Sequence, residues 1–296
     1  MTPHPLTSPL TGPIVVTGAT GQLGRLVLAS LLKQVPAAQL VAAVRSPEKA
    51  QDLAAQGIQV RKADYDRPDT LVEAFRGAGK VLLISSNEIG QRFAQHRAAV
   101  DAARKAGVPL LAYTSLLRAD TSPLPLALEH RETEAYLKAS GLPFVLLRNG
   151  WYTENYAASI PSALQHGAFL GSAGEGKIAS AARADYAEAA AAVLLRDGQA
   201  GQVHELAGDT AYTLRELTAE LSRQSGKAVA YQNLPEAEFK AILLGAGLPE
   251  AIASLLAESD TGAAKGGLFD DSRTLRRLIG RPTTPMADTV GAALRG

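Results

Sequence analysis

Three glycines at three-residue spacing are the most informative chemical feature of the chain. Gly18, Gly21 and Gly24 follow the apolar run "IVVT" and open a stretch with leucine and valine at helical spacing. At such a strand–helix junction the glycines permit a tight turn, close approach of a pyrophosphate and close helix–strand packing, and the helix N-terminus favours phosphate. The loop therefore predicts a dinucleotide site, with a plain tight turn as the alternative. Its candidate contacts are Gly18, Ala19, Thr20, Gly21, Gln22, Leu23 and Gly24.

The second strand-like run, "LVAAVRS", ends on a basic residue. Sites that prefer NAD usually place an acidic side chain here for the ribose 2′-hydroxyl, whereas Arg45 and Ser46 suit the 2′-phosphate of NADP. The alternative is a solvated arginine at a strand end. Asp64, after the third strand, is expected either to hydrogen-bond the adenine or to cap the helix that follows.

Polar and aromatic residues cluster in "RNGWYTENY". Asn149 can hydrogen-bond a carboxamide or a quinone oxygen, and Trp151, Tyr152 and Tyr156 offer flat faces for rings. A structural aromatic core is the alternative. His130 and Glu134, one helical turn apart, could face a nicotinamide or a substrate, or form a surface hydrogen-bonded pair. No metal site is expected there, because no third ligand is suitably spaced.

Two glycine-containing stretches have less definite interpretations. "GSAGEGKI" resembles a phosphate loop, but Ile178 stands where Ser or Thr would hold magnesium, so a turn is expected. "KGGLFDDS" could place Lys265 and Phe269 near a substrate. A paired-glycine turn with a helix cap at Asp271 explains it equally well.

Strand-like and helix-like runs alternate along the first half of the chain. This alternation predicts an α/β fold with a Rossmann-like, doubly wound parallel sheet. The sequence beyond Trp151 predicts a smaller, helix-rich C-terminal lobe, in which Thr213 and Glu216 form a capping box for a helix ending at Gly226. The expected organisation is a flexible tail over 1–12, a nucleotide-binding domain over 13–150 and a substrate-side lobe over 151–296, partly interleaved with the first.

Composition restricts the classes of partner. The 296 residues carry a formal net charge of +1, which gives no electrostatic signal for nucleic acid or an anionic membrane. No cysteine is present, which fits a reducing compartment. No signal peptide and no long apolar run is evident. We expect a cytoplasmic protein with a small-molecule partner, no nucleic-acid partner and no membrane insertion.

The order of several motifs resembles a known family. "TGATGQLG", "VRSPEKAQDLAAQGI", "ADYD", "LLISS", "AYTSLL", "LRNGWYTENY", "KIASAARADYA" and "KGGLFDDS" are similar to those of type 2 NAD(P)H:quinone oxidoreductases, which belong to the NmrA-like atypical short-chain dehydrogenases. Triphenylmethane dye reductases are close relatives. The resemblance implies NADPH as cofactor, a quinone as substrate, Arg45 at the 2′-phosphate and Asn149–Glu154 beside the nicotinamide. The cofactor contacts it implies, beyond the glycine loop, are Arg45, Asp64, Ser85, Ser86, Asn149, Gly150, Trp151, Tyr152 and Glu154.

The chain lacks the Tyr-x-x-x-Lys pair of ordinary short-chain dehydrogenases, since none of its eight tyrosines has a lysine four residues later. A quinone is electrophilic enough that positioning for direct hydride transfer can suffice. Asn149, Tyr152 and His130 are the candidate catalytic residues. The alternatives are a non-catalytic NADP-binding redox sensor and a reductase of dyes or other electrophiles. A homodimer is expected by family precedent alone.

Overall fold

A computed structural model describes residues 10–295 of the chain. Most of the expected flexible tail, residues 1–9, lies outside the described residues. The strands are β1 Ile14–Thr17, β2 Leu40–Val44, β3 Gln59–Lys62, β4 Lys80–Leu83, β5 Leu111–Leu116, β6 Phe144–Asn149, β7 Ala168–Gly171, β8 Val203–Leu206 and β9 Ala230–Asn233. The helices are α1 Gln22–Leu32, α2 Gln51–Ala55, α3 Pro68–Phe75, α4 Arg92–Lys105, α5 Ala127–Ala139, α6 Thr153–Ala157, α7 Ile160–His166, α8 Arg183–Leu195, α9 Leu214–Ser225, α10 Glu236–Gly245, α11 Glu250–Ala264, α12 Thr274–Ile279 and α13 Met286–Arg295.

Seven strands form one sheet in the order β3-β2-β1-β4-β5-β6-β8. The pairs β1/β2, β1/β4, β2/β3 and β4/β5 are parallel. The strand order reverses direction between β1 and β4, and ligands of open α/β sheets bind outside the carboxyl ends of the strands at such a point. The Rossmann-like α/β fold predicted from the alternation is confirmed.

The apolar runs explain which segments become strands and helices. Every residue of β1 and β2 is buried, as expected for parallel strands covered on both faces. In α1, Leu23, Val27 and Leu31 recur every fourth residue and are buried, so this face packs inward.

Of the capping residues predicted from the sequence, those of α9 form their hydrogen bonds and Ser46 does not. Thr213 and Glu216 form both hydrogen bonds of the capping box at the start of α9, and Gly226 ends the helix in the left-handed conformation. Ser46 occupies the N-cap of a short 3₁₀ turn at Pro47–Ala50 but makes no side-chain capping bond. The following helix ends near Gly57, whose φ of +84° is the conformation that favours glycine.

The described chain divides into two compact units, each built from three segments. Unit 1 comprises residues 10–115, Glu129–Arg148 and Tyr186–His204, and its core includes Phe75 and Tyr113. Unit 2 comprises Leu116–Leu128, Asn149–Asp185 and residues 205–295. A two-stranded parallel sheet of β7 and β9 lies within unit 2.

Two kinds of feature are missing from the part of the chain that the structure describes. Over residues 10–295, no helix has both the length and the apolar character needed to cross a membrane. Within the same range, no group of three or more His, Asp or Glu side chains is arranged to hold a metal ion.

Candidate functional site

The glycine loop of unit 1 joins the carboxyl end of β1 to the first turn of α1. Gly18 has a φ of +57°, and its carbonyl oxygen accepts a 2.9 Å hydrogen bond from the Gly21 amide. Gly21 is exposed and occupies the N-cap of α1, where no side chain caps the helix. The first amides of α1 therefore have no intrahelical partner and suit a phosphate.

The third glycine brings the helix against the loop. A Cβ atom at Gly24 would lie 2.4 Å from the Gly18 carbonyl oxygen and 2.8 Å from the Ala19 Cα. Ala19 and the Leu23 side chain are buried, so these residues offer a ligand only backbone groups. The alternative of a plain tight turn does not require this close approach.

Arg45 directly follows β2 and is exposed. Its guanidinium forms a 3.2 Å ion pair with Glu88, a residue that the sequence analysis did not identify. A second Glu88 oxygen accepts a 2.8 Å hydrogen bond from Gln95. Arg45 is thus accessible to a 2′-phosphate, but it already has an anionic neighbour.

The two serines after β4 differ in their surroundings. The Ser86 amide donates to His96, its hydroxyl donates to Gln95, and its carbonyl accepts from Arg92. These bonds make Ser86 an anchor of its loop, and contact between Ser86 and the cofactor stays a prediction. The Ser85 amide donates to the Thr114 hydroxyl, and its half-buried side chain leaves the predicted contact open.

Asp64 is expected either to hydrogen-bond the adenine or to cap the following helix. Its carboxylate accepts a 3.2 Å hydrogen bond from the Asp66 amide and closes a turn. The prediction that Asp64 caps the next helix is wrong, because α3 starts after Arg67 and has no side-chain cap. Contact with an adenine stays a prediction.

In unit 2 the segment from Asn149 to Thr153 is fixed through its backbone. The Asn149 carbonyl accepts from the Leu117 amide, and the Gly150 amide donates to the Leu206 carbonyl. On the other side, the Ala181 amide donates to the Trp151 carbonyl, and the Thr153 amide donates to Ala181. Side chains carried by this segment therefore have defined positions.

Asn149 and Tyr152 interact directly. The Asn149 amide hydrogen-bonds the Tyr152 phenol, and Asn149 Oδ1 is buried without a hydrogen-bond partner. The Arg183 guanidinium carbon lies 4.6 Å from the centroid of the Tyr152 ring, a cation–π contact that the sequence analysis missed. Burial raises the pKa of Tyr152, while Asn149 and the Arg183 charge oppose the rise. The phenol therefore stays protonated at neutral pH.

The neighbours of Tyr152 have structural partners. Trp151 and Tyr156 lie in the core of unit 2, so the alternative of a structural aromatic core describes them better than the predicted ring contacts with a ligand. Both carboxylate oxygens of Glu154 accept from the Arg183 amide, at 2.9 and 3.1 Å. The Glu154 carboxylate thus fixes the start of α8, beside the arginine that lies over Tyr152.

Tyr156 faces a second buried group, Asp260. The Asp260 carboxylate accepts a 2.8 Å hydrogen bond from the Ser172 amide. Burial raises the pKa of Asp260 to about 6. Burial, followed by the Asp260 charge, raises the pKa of Tyr156 well above its ordinary value.

His130 and Glu134 do not form the surface pair considered above. Both are buried in unit 1, where His130 hydrogen-bonds the Tyr113 hydroxyl at 2.7 Å and Glu134 pairs with Arg148 at 2.7 Å. Burial lowers the pKa of His130 well below its ordinary value. His130 is therefore neutral and already partnered, which argues against its predicted catalytic role.

The two glycine-containing stretches of unit 2 are turns. In "GSAGEGKI", Gly174 has a φ of +54°, and Lys177 pairs with Glu216 on α9 at 3.0 Å. In "KGGLFDDS", Asp270 accepts from the Ser272 amide. The predicted helix cap at Asp271 is wrong, because Arg273 precedes α12 and makes no capping bond.

The groups present fit NADPH, the reduced form of nicotinamide adenine dinucleotide phosphate. Unit 1 offers unpaired helix amides beside a backbone that only glycine allows, together with an exposed guanidinium for the 2′-phosphate. Unit 2 separately contains Asn149 Oδ1, a buried oxygen without a hydrogen-bond partner, which can accept a hydrogen bond from a carboxamide N–H. The face of Tyr152 suits a flat ring.

Comparison with known proteins gives the same assignment. A family model described as NAD(P)H-binding matches residues 18–197. Quinone oxidoreductase 2 of Escherichia coli strain K12 is 62% identical over 277 residues, which cover 94% of this chain and 97% of that protein.

Solved structures agree over nearly the whole length. The Escherichia coli NADPH-dependent quinone oxidoreductase complexed with NADPH superimposes with a TM-score of 0.93 at 61% identity, covering 95% of this chain and 99% of that one. The Citrobacter sp. triphenylmethane reductase complexed with NADP(H) gives a TM-score of 0.91 at 40% identity, with the same coverage of 95% and 99%. The chain belongs to the NAD(P)H-binding family and, within it, to the type 2 quinone oxidoreductases of the NmrA-like short-chain dehydrogenases.

Proposed function

We propose that this protein binds NADPH and reduces quinones to hydroquinones. The observation that carries the proposal is the 62% identity to a quinone oxidoreductase over nearly the full length of both chains. The glycine loop and the exposed Arg45 support the choice of cofactor. When bound, NADPH supplies a hydride from C4 of its nicotinamide.

The side chains of the Asn149 segment act by binding and orientation. Asn149 Oδ1 is available to accept a hydrogen bond from the carboxamide and would orient the nicotinamide through it. Tyr152, aligned by Asn149 and covered by Arg183, offers its ring and its protonated phenol to the substrate. Because no Tyr-x-x-x-Lys pair is present, the proton that completes the hydroquinone is expected to come from solvent or a weak donor. Orientation within about 3–3.5 Å is then the main contribution of the protein.

Stopped-flow absorbance tests the function. NADPH mixed with the protein and 1,4-benzoquinone should be consumed steadily, and NADPH deuterated at the transferred C4 position should show a primary isotope effect in single turnover. Binding of NADPH without consumption would instead support the redox-sensor alternative. Consumption with a triphenylmethane dye would extend the substrate range, as the likeness to the Citrobacter enzyme suggests.

The cellular setting completes the proposal. We infer a cytoplasmic protein, because its cysteine-free sequence fits a reducing compartment, and a homodimer, by precedent in the family. Cell fractionation tests the first inference, and static light scattering of the purified protein tests the second.

A further inference from the structure

Arg45 already pairs with one anion, Glu88, at the position where the proposed cofactor would bring its 2′-phosphate. We propose that Glu88 is a specificity-determining residue, which pairs with Arg45 in the absence of cofactor and opposes the 2′-phosphate when NADPH binds. The proposal rests on the proposed cofactor. In this role, the Glu88 charge makes the preference for NADPH over NADH smaller than Arg45 alone would give.

The contact itself shows the competition. Glu88 Oε1 lies 3.2 Å from Arg45 Nη1, and both side chains are exposed, at 43% and 68%. A phosphate that binds the same guanidinium must displace this carboxylate or remain beside it. Two negative groups at one cation repel each other. A 2′-hydroxyl carries no charge, and it can donate a hydrogen bond to a carboxylate, as in sites that prefer NAD.

Glu88 is held in place by its own loop. The Glu88 amide donates to the Ser86 hydroxyl, and Gln95 donates to Glu88 Oε2 at 2.8 Å. Ser86 in turn binds His96 and Arg92 through its backbone. The position of the carboxylate is therefore fixed from both its main chain and its side chain.

The anchors of this loop are polar side chains of α4 that the fold buries. Arg92, Gln95 and His96 are at most 5% exposed. The Arg92 charge is met by Glu129 at 3.1 Å. Burial, and then the Arg92 charge, lowers the pKa of His96 to about 3, so its neutral ring accepts the Ser86 amide. Burying such groups is costly unless each is bonded, and here their bonds converge on the loop that carries Glu88.

The direct test measures binding without turnover. Isothermal titration calorimetry with 2′,5′-ADP and with 5′-ADP, and fluorescence titration with NADPH and NADH, give the preference for the phosphate. Glu88→Gln keeps the size of the side chain and its acceptor for Gln95 but removes the charge. We expect affinity for 2′,5′-ADP and NADPH to rise about two- to fivefold, as for loss of an exposed charge contact, with no rise for 5′-ADP and NADH.

Two controls separate the pair from general electrostatics. Glu48→Gln removes an exposed charge three residues from Arg45, where no ion pair with Arg45 exists, and should leave the preference unchanged. In the Arg45→Gln background, adding Glu88→Gln should no longer raise the affinity for NADPH or 2′,5′-ADP. The gain should also shrink at high salt.

The outcomes distinguish this inference from the proposed cofactor. If the unaltered protein binds NADPH and Glu88→Gln leaves or lowers its preference, or if Glu48→Gln raises the preference equally, the role of Glu88 is overturned and the cofactor assignment stands. If the unaltered protein binds neither NADPH nor 2′,5′-ADP, both are overturned.

Discussion

Arg45 is the residue on which cofactor choice depends most directly. A charge-assisted contact with the 2′-phosphate contributes about 1.5–3 kcal/mol, or roughly ten- to hundredfold in affinity. Arg45→Asp places a second carboxylate beside Glu88, so the preference for NADPH should disappear or invert. Michaelis constants for NADPH and NADH measure it. Equal constants in the unaltered protein would show that Arg45 makes no such contact.

Tyr152 tests whether an acidic side chain must take part in the reaction. Its raised pKa and its contacts with Asn149 and Arg183 make it an orienting group. Tyr152→Phe keeps the ring and should retain measurable quinone reduction in single turnover. Activity at background level, with NADPH still bound and an unchanged circular dichroism spectrum, would show that the phenol is an essential proton donor.

Asp260 should make stability depend on pH. Its pKa of about 6 in the folded protein lies above the ordinary value of 3.8, so the folded state binds the extra proton between these values. The free energy of unfolding should therefore fall as pH rises from about 4 to 6, by up to about 3 kcal/mol from this group, and then level off.

Urea denaturation at pH 4 and pH 7.5, which together span the whole interval, measures this effect. Asp260→Asn keeps an acceptor for the Ser172 amide but cannot ionise, so the variant should lose less stability over this interval than the unaltered protein. An identical loss in both proteins would contradict the assignment to Asp260.

At the residue scale, the sequence predicts groups whose role follows from their own local motif. The glycine loop and Arg45 are of this kind, since the strand and turn beside them define their position. Glu88 and Arg183 are not, because Glu88 meets Arg45 from 43 residues along the chain, and Arg183 comes to Tyr152 from a distant segment whose first amide binds Glu154. His130 shows the reverse error. Helical spacing paired it with Glu134, but tertiary packing gave each a different partner.

At the element scale, the junction of β1 and α1 contains two glycines whose substitution should have different effects on NADPH affinity and on stability. Gly21 is exposed with an ordinary φ of −73°, and a Cβ there would meet only the Gly18 carbonyl oxygen, at 3.1 Å. Gly21→Val should therefore largely preserve the fold while its side chain obstructs the phosphate. Gly24→Ala instead forces α1 away from the Gly18 carbonyl. This overpacking should cost about 1–3 kcal/mol of stability as well as NADPH affinity.

Thermal melting and NADPH titration of the two glycine variants check this difference. A Gly21→Val protein that binds NADPH normally would show that the loop is an ordinary turn. Unchanged melting of Gly24→Ala would show that α1 can move without cost. Ala29, exposed on the opposite face of α1, provides a matched control as Ala29→Ser.

Element types were predictable where a local pattern determines them. The buried apolar runs of β1 and β2 and the capping box of α9 needed no tertiary information. The exact start of a helix was less predictable. Asp64 and Asp271 are good capping residues by type, yet neighbouring backbone geometry places the helix starts after Arg67 and Arg273.

At the scale of the whole molecule, unit 1 is not a continuous stretch of sequence. The glycine loop and Arg45 precede Gly150, but Tyr186–His204 also belongs to this unit. Lys80, at the start of β4, donates to the Leu194 and Arg196 carbonyls at 2.7 and 3.0 Å. Without these acceptors a half-buried ammonium is left unpaired, which is costly.

A fragment of residues 10–150 should therefore not behave as a separate nucleotide-binding domain, although it contains the whole glycine loop and Arg45. It loses the acceptors of Lys80, and the Leu146 amide of β6 loses its hydrogen bond to the Gln202 carbonyl. We expect no cooperative thermal transition by circular dichroism and no measurable binding of 2′,5′-ADP, whereas the full chain shows both. A fragment that melts cooperatively and binds 2′,5′-ADP would mean that β1–β6 are sufficient, and that Tyr186–His204 adds stability without being needed for the fold.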